Sequence, residues 1–106
     1  MIAIKRGNGN GDFLWTAEDA DGEIGNIVVR AGEIPVIVRL EFEQPEIGDG
    51  LIKTAAAFFA SAGISKLRFT AESEKAGAAA LAAGFIQTDG GFELDPAQVK
   101  RACGNH

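Results

Sequence analysis

The sequence predicts an α+β fold with a mixed, mostly antiparallel sheet and about three helices. Three observations carry this expectation. The chain has 106 residues, enough for one core and so for one domain over 1–106. Its first half is a series of strand-like segments separated by Gly-containing turns. Its second half switches to a helical stripe, returns to a strand, and then alternates again.

Residues 2–6 read as a short strand, and Gly7-Asn8-Gly9-Asn10-Gly11 as a flexible loop. Residues 13–18 (FLWTAE) form the next strand, and Asp19-Ala20-Asp21-Gly22 turns the chain. Residues 24–30 make the return strand. Residues 35–43 make a third long strand, β-branched at Val36, Ile37 and Val38 and alternating from Leu40 to Glu43. From Asp49 the apolar residues fall at Leu51, Ile52, Ala55, Phe58, Phe59 and Ala62, the stripe of an amphipathic helix. Asp49 is its expected N-cap and Gly63 its expected stop. Residues 64–70 form a strand, which the crossover places parallel to 35–43. Residues 74–83 form an Ala-rich helix opened by Ser73 and closed by Gly84. Residues 85–88 and 91–94 form a hairpin around Asp89-Gly90. Asp95-Pro96-Ala97-Gln98 carries the signature of a last short helix.

Charge narrows the partners. Fifteen acids against ten bases leave a net charge of −5 and a pI near 4.8, against the basic surface that nucleic acid or an anionic membrane selects. Residues 11–49 hold ten of the acids and two of the bases. No apolar run approaches the roughly 18 residues of a membrane span. The opening Met1-Ile2-Ala3-Ile4-Lys5-Arg6 has no apolar region like that of a secretory leader, so a cytoplasmic location is expected. Cys103 is the one cysteine and His106 the one histidine, which excludes an internal disulfide and argues against metal clusters and histidine-based nucleophilic sites. Cys103 has only Lys100 and Arg101 near it in sequence to activate a thiol.

Two Gly-rich or acidic segments resolve as turns. A strand follows Gly7–Gly11, so the segment lacks the strand–loop–helix setting of a phosphate loop. Asp19-Ala20-Asp21-Gly22-Glu23 resembles the start of a calcium loop, but Arg30 stands at the twelfth position, where a bidentate Glu is needed. Trp15, Phe58, Phe59 and Phe69 read as core packing. The segment Gln44-Pro45-Glu46-Ile47-Gly48-Asp49-Gly50-Leu51-Ile52 differs from these. It reads as a Gly-containing loop between a strand and a helix, where backbone N–H groups can receive an anion.

The order of elements, with these residues in place, resembles the GNAT superfamily of acetyl-CoA-dependent N-acetyltransferases. The resemblance is carried by Val38-Arg39-Leu40-Glu41-Phe42, the Gly48-Asp49-Gly50-Leu51-Ile52 helix entry, Ala62-Gly63-Ile64 before the next strand, Ser73-Glu74-Lys75-Ala76, and Leu81-Ala82-Ala83-Gly84-Phe85. It covers about residues 13–94. It implies acetyl transfer to an amine, with acetyl-CoA as a small-molecule cosubstrate. The pantetheine arm would pair with the backbone around Leu40 and Phe42. The pyrophosphate would sit at Ile47, Gly48, Asp49 and Gly50, and Ser73 would face the cofactor.

The chain departs from the family's pattern in four places. The family's first two helices are missing, so the acceptor site is open or closed by a second copy, and a homodimer is plausible on that ground. Aligned on Gly48-Asp49-Gly50, the chain has Pro45 where the family's loop has Gln or Arg; aligned on Leu51-Ile52, Gly48 is the last glycine and the loop is shorter; neither supplies a basic side chain, and Glu46 and Asp49 oppose a pyrophosphate within a Debye length of about 8 Å. Ala80 stands at the family's acid Tyr, and the chain has no Tyr. Ser73 replaces the Asn that often opens the second helix.

Glu41 and Glu43 are the candidate bases. Two apart on a strand, they share a face, and mutual repulsion favours the proton uptake a base needs. The acidic stretch 41–49 suits a cationic acceptor. Two readings follow: a minimal N-acetyltransferase, or a GNAT-like module without catalysis that binds a partner.

Overall fold

The computed structural model describes residues 3–8, 12–71 and 73–98. Gly9–Gly11 of the expected loop, Cys103 and His106 lie outside the described residues. The elements are β1 (Ala3–Asn8), β2 (Phe13–Asp19), β3 (Gly22–Arg30), β4 (Val36–Phe42), α1 (Pro45–Ser61), β5 (Leu67–Phe69), α2 (Glu74–Ala83), β6 (Ile86–Thr88) and β7 (Gly91–Leu94), followed by a 3-10 turn at Pro96–Gln98. The seven strands form one sheet in the order β1-β2-β3-β4-β5-β7-β6. Only β4 and β5 are parallel; every other pair is antiparallel. The expected α+β class and element order are therefore observed.

One sheet face carries the core. Alternation along the strands sends Trp15, Ala17, Ile27, Val29 and Ile37 to that face. There they meet Leu51, Ile52, Ala55, Ala56 and Phe59 of α1 and Ala76, Ala80 and Ala83 of α2, all in one buried cluster. Phe13 stacks on Trp15, and the other pairs among Phe13, Trp15, Phe58 and Phe59 pack edge-to-face or tilted, with centroids 5.2–6.2 Å apart. The Arg6 guanidinium lies 4.5 Å from the Phe58 centroid. Leu14, Thr16, Val28, Arg39 and Glu41 alternate with these core residues and face the other way. Among the described residues no helix covers that second face.

The end of α2 explains the Gly-Phe pair read in the sequence. Gly84 takes φ +109°, a left-handed value that stops the helix. The Phe85 N–H then donates to the Ala80 carbonyl at 3.0 Å. The Phe85 side chain is buried with its ring 6.2 Å from Phe69. One glycine thus closes the helix and turns the next side chain, Phe85, into the core.

Three expectations need correction. Helix α1 starts at Pro45, one turn before Asp49. Gln44 is the N-cap, with extended φ −129° and ψ 146° and no side-chain cap. Its carbonyl accepts from the Ile47 N–H at 2.9 Å and the Gly48 N–H at 3.3 Å. Pro45 supplies a preset φ at the first helical position. Ile47 fixes the early start by burying its side chain over Gly25 of β3. A Cβ at Gly25 would lie 2.9 Å from Ile47 Cγ2 and 2.8 Å from the Glu41 carbonyl oxygen, so only glycine lets this turn approach. Strand β5 is shorter than 64–70, because the Ile64 N–H is spent capping the Phe59 carbonyl at 2.9 Å. The last helix is, over its described residues, the 3-10 turn, with Asp95 Oδ1 accepting from the Ala97 N–H at 3.0 Å.

Candidate active site

The parallel pair β4–β5 is the origin of the site. It is only two residues deep, with Val36 opposite Arg68 and Ile37 opposite Phe69. Two flanking hydrogen bonds complete it, Arg68 N–H to Pro35 O at 3.0 Å and Thr70 N–H to Ile37 O at 3.3 Å. Beyond them β5 ends while β4 continues to Phe42, so one edge of β4 from Val38 onward has no strand partner. The other edge is still paired to β3, but with a break. Val28 faces Arg39 while Val29 faces Ile37, which leaves Val38 as the extra residue of a bulge.

A cavity of about 470 Å³ fills the opening, within the usual range of ~300–1,000 Å³ for ligand pockets. Val38 to Glu41 form one wall; Phe69, Thr70, Ser73 and Ala76 form the other. The unpaired β4 edge offers N–H and C=O groups to an extended, amide-bearing ligand, much as a strand edge receives a peptide.

The structure separates the residues that the sequence had grouped. Leu40 and Glu41 line the cavity, and so does Ser73. Ser73 also caps α2, its Oγ accepting from the Ala76 N–H at 3.1 Å. Phe42 ends β4, and its ring lies over Gly48, where a Cβ would be 2.7 Å from Cδ1. Ile47, Gly48, Asp49 and Gly50 are helical and form no loop. Ile47 and Gly48 are buried, and their N–H groups already bond to Gln44 O. Asp49 pairs with Lys53 at 2.8 Å across one helical turn. The Gly50 carbonyl accepts from Thr54 Oγ1 at 2.7 Å. The segment is thus the start of a helix and not the loop read from the sequence. Glu43 lies exposed just past the end of β4, outside the cavity lining, with its N–H donating to the Ile24 carbonyl at 3.2 Å.

Glu41 has other neighbours instead. Asn26 of β3 faces it across the register, and its Nδ2 donates to Glu41 Oε1 at 3.2 Å and Glu23 Oε2 at 3.0 Å. Arg39 Nε lies 3.5 Å from Glu41 Oε2, an exposed pair worth under about 1 kcal/mol but fixing the side chain's direction. Asn26 is 8% exposed, and its Oδ1 has no hydrogen-bond partner. An unpartnered buried acceptor costs about 1–3 kcal/mol, a cost that native structures tolerate mostly where function asks for it. Lys75 adds a second cation at the outer end. Its Nζ donates to the Phe42 carbonyl at 2.6 Å and stands 4.5 Å from that ring's centroid.

Arg39, Asn26, Glu23 and Lys75 were missed in the sequence. Arg39 was within reach, two residues before Glu41 on the same strand face. Asn26 and Glu23 required the β3–β4 register, and Lys75 required the packing of α2 beside β4. Among the described residues no three His, Cys, Asp or Glu side chains gather as a metal site, and no helix is long and apolar enough to cross a membrane.

No protein-family model matches the chain, and no curated protein matches it by sequence. Solved structures do. An IAA acetyltransferase from Bacillus cereus superposes with a TM-score of 0.71 at 17% identity, over 83% of this chain and 79% of that one. YhhK from E. coli, bound to coenzyme A, gives 0.67 at 18% identity, over 84% and 75%. The PaiA N-acetyltransferase from Thermoplasma acidophilum, in complex with coenzyme A, gives 0.65 at 18% identity, over 80% of this chain and 61% of that one. A chain of the KacTA–DNA complex gives 0.62 at 16% identity. For the present chain, the argument against a nucleic-acid partner is therefore its acidity and not its fold. These superpositions make the fold GNAT-like, a mixed, mostly antiparallel seven-stranded sheet with two helices.

Proposed function

We propose that the chain is a minimal N-acetyltransferase that takes an acetyl group from acetyl-CoA and passes it to an amine in the β4–β5 cleft. The observation that carries this reading is the unpaired edge of β4 from Val38 to Phe42, opening onto the cavity. Backbone N–H groups on that edge align the amide-bearing arm and polarise the thioester carbonyl, whatever the side chains. Holding the two reactants together supplies ~7–11 kcal/mol of the barrier.

Glu41 is the base of the reading. It takes one proton of the incoming ammonium; the amine nitrogen then bonds to the acetyl carbon, the carbon–sulfur bond breaks, and the nitrogen releases its second proton to solvent. The thiolate collects its proton from solvent. Losing a dedicated acid costs about 10²–10⁴-fold in rate. Asn26 and Arg39 hold Glu41 at the cavity wall. The acidity of residues 11–49 favours a cationic acceptor, and the uncovered sheet face leaves room for it. A cytoplasmic location and pairing of two copies over that open face are further parts of the proposal.

A second reading, a partner-binding module without catalysis, is favoured by Ala80. It stands where the resemblance expects a phenol, and it is fully buried in the core, away from the cavity lining. Calorimetry with acetyl-CoA at low salt tests the first reading, using the wild type and Thr70→Trp, which fills the cleft from an exposed position. Micromolar binding that the variant loses supports it. No binding up to millimolar acetyl-CoA overturns it and leaves the module. Binding without turnover on a panel of amines also favours the module.

A further inference from the structure

The second face of the sheet holds another cavity beside the cleft, of about 570 Å³. Val28, Arg30, Val36, Val38, Arg39 and Thr70 line it. Val38, Arg39 and Thr70 also line the cleft, so the two spaces adjoin. The register explains the lining. Val28 and Arg30 are two apart on β3 and share a face. Val28 faces Arg39 of β4, and Arg30 faces Val36. The bulge adds Val38 between them. Three valines thus make an apolar floor with an arginine at each end. The acids of residues 11–49 are absent from this lining, which holds two cations and no carboxylate.

The two arginines differ. Arg39 is engaged with Glu41 at 3.5 Å. Arg30 is exposed and has no carboxylate partner among the described residues. By contrast, Arg68 pairs with Glu93 at 2.9 Å, and Arg6 lies over the rings of Phe13 and Phe58. Glu41 and Arg30 belong to opposite ends of the joined cavities. Asn26, which faces Glu41, and Arg30 are four residues apart on β3, roughly 13 Å at ~3.3 Å per residue.

We propose that Arg30 selects the acceptor, an amine whose far end carries a carboxylate, with an apolar segment between the two. The ammonium meets Glu41, the segment covers Val28, Val36 and Val38, and the carboxylate pairs with the Arg30 guanidinium, whose planar fork matches it. The span calls for a chain longer than an α-amino acid, whose two charged groups share one carbon. This rests on the reading of the cleft as an acetyl-transfer site and deepens it. The acceptor is cationic at the reacting nitrogen and anionic at its other end.

The test uses three amines with chains of the same length. ε-Aminocaproate carries the carboxylate, hexylamine ends in a methyl group, and hexamethylenediamine ends in a second ammonium. Binding is read from amide shifts in NMR titrations, which need no turnover, on the wild type, Arg30→Met and Arg30→Lys. A thermal melt checks the folding of each variant. The wild type is expected to bind ε-aminocaproate about three- to tenfold more tightly than hexylamine, with shifts at Val28, Arg30, Val36, Val38 and Glu41. Arg30→Met is expected to abolish that preference while leaving hexylamine unchanged. Arg30→Lys is expected to keep part of it.

Equal binding of ε-aminocaproate and hexylamine to the wild type overturns the proposal, and so does a preference that survives in Arg30→Met. Tighter binding of hexamethylenediamine overturns it in favour of a wholly cationic acceptor. A parallel titration with coenzyme A separates this proposal from the reading beneath it. Coenzyme A binding with no amine bound overturns the Arg30 site and leaves the cleft assignment standing. Binding of ε-aminocaproate through Arg30 without binding of coenzyme A supports the site and overturns acetyl transfer.

Discussion

The two helices that border the cleft start in opposite ways. Helix α2 starts from local sequence. Ser73 adopts extended φ −145° and ψ 159° and caps the Ala76 N–H with its own hydroxyl. Helix α1 starts from tertiary packing. Gln44 provides no side-chain cap, and the first turn is held by Ile47 on Gly25 and by Phe42 on Gly48. The difference decides the chemistry at each end. The locally capped helix presents Ser73 and Ala76 to the cavity. The packed helix bonds its Ile47 and Gly48 amides to the Gln44 carbonyl and buries Gly48, the glycine expected to meet a pyrophosphate.

The largest effect on this comparison should come from Gly48→Ala. The new Cβ would lie 2.7 Å from Phe42 Cδ1 and 2.9 Å from Cγ. A contact at Cγ cannot be relieved by swinging the far edge of the ring, so Phe42 must leave its seat. Overpacking of this kind costs ~1–3 kcal/mol, only partly offset by ~1 kcal/mol of helix propensity. A net loss of about 1–2 kcal/mol in urea unfolding is expected. A gain would mean that Phe42 does not hold the start of α1.

Next in size is Ser73→Ala, which removes the cap. It should cost about 1 kcal/mol, seen as a fall in melting temperature. No change would make the start of α2 as dependent on packing as that of α1. The smallest effect is expected for Gly50→Ala, and its sign is opposite. A Cβ there meets only Ile4 Cδ1 at an ordinary 3.5 Å. Inside a helix the substitution should stabilise by about 0.5–1 kcal/mol. Destabilisation in equilibrium unfolding would return the segment to the loop read from the sequence.

The contrast also explains what was legible. The second helix was read to the residue, because its start and stop, Ser73 and Gly84, act through their own backbone neighbourhood. The strands and the parallel β4–β5 pair followed from alternation and from the crossover. The start of α1 was misplaced although Pro45 and the apolar Ile47, four residues before Leu51, both signalled it. Gly48, Asp49 and Gly50 outweighed them as loop formers, and Asp49 resembled a cap. The seats of Ile47 on Gly25 and of Phe42 on Gly48, both tertiary, hold the early start. At the site, Glu41 was legible as a carboxylate on the key strand. Glu43 stands one residue past the end of β4, exposed and outside the cavity lining. Asn26, Glu23 and Lys75 reach the site through sheet register and helix packing, which one strand's sequence does not encode.

The central claim is that the unpaired edge of β4 is the ligand-binding element. Amide shift mapping by NMR during titration with coenzyme A tests it most directly. The account predicts the largest perturbations at Val38–Phe42 and at Thr70, Ser73 and Lys75, with smaller ones at Ile47–Gly50. Perturbations centred on Ile47–Gly50 with β4 silent, or no perturbation at all, would contradict it.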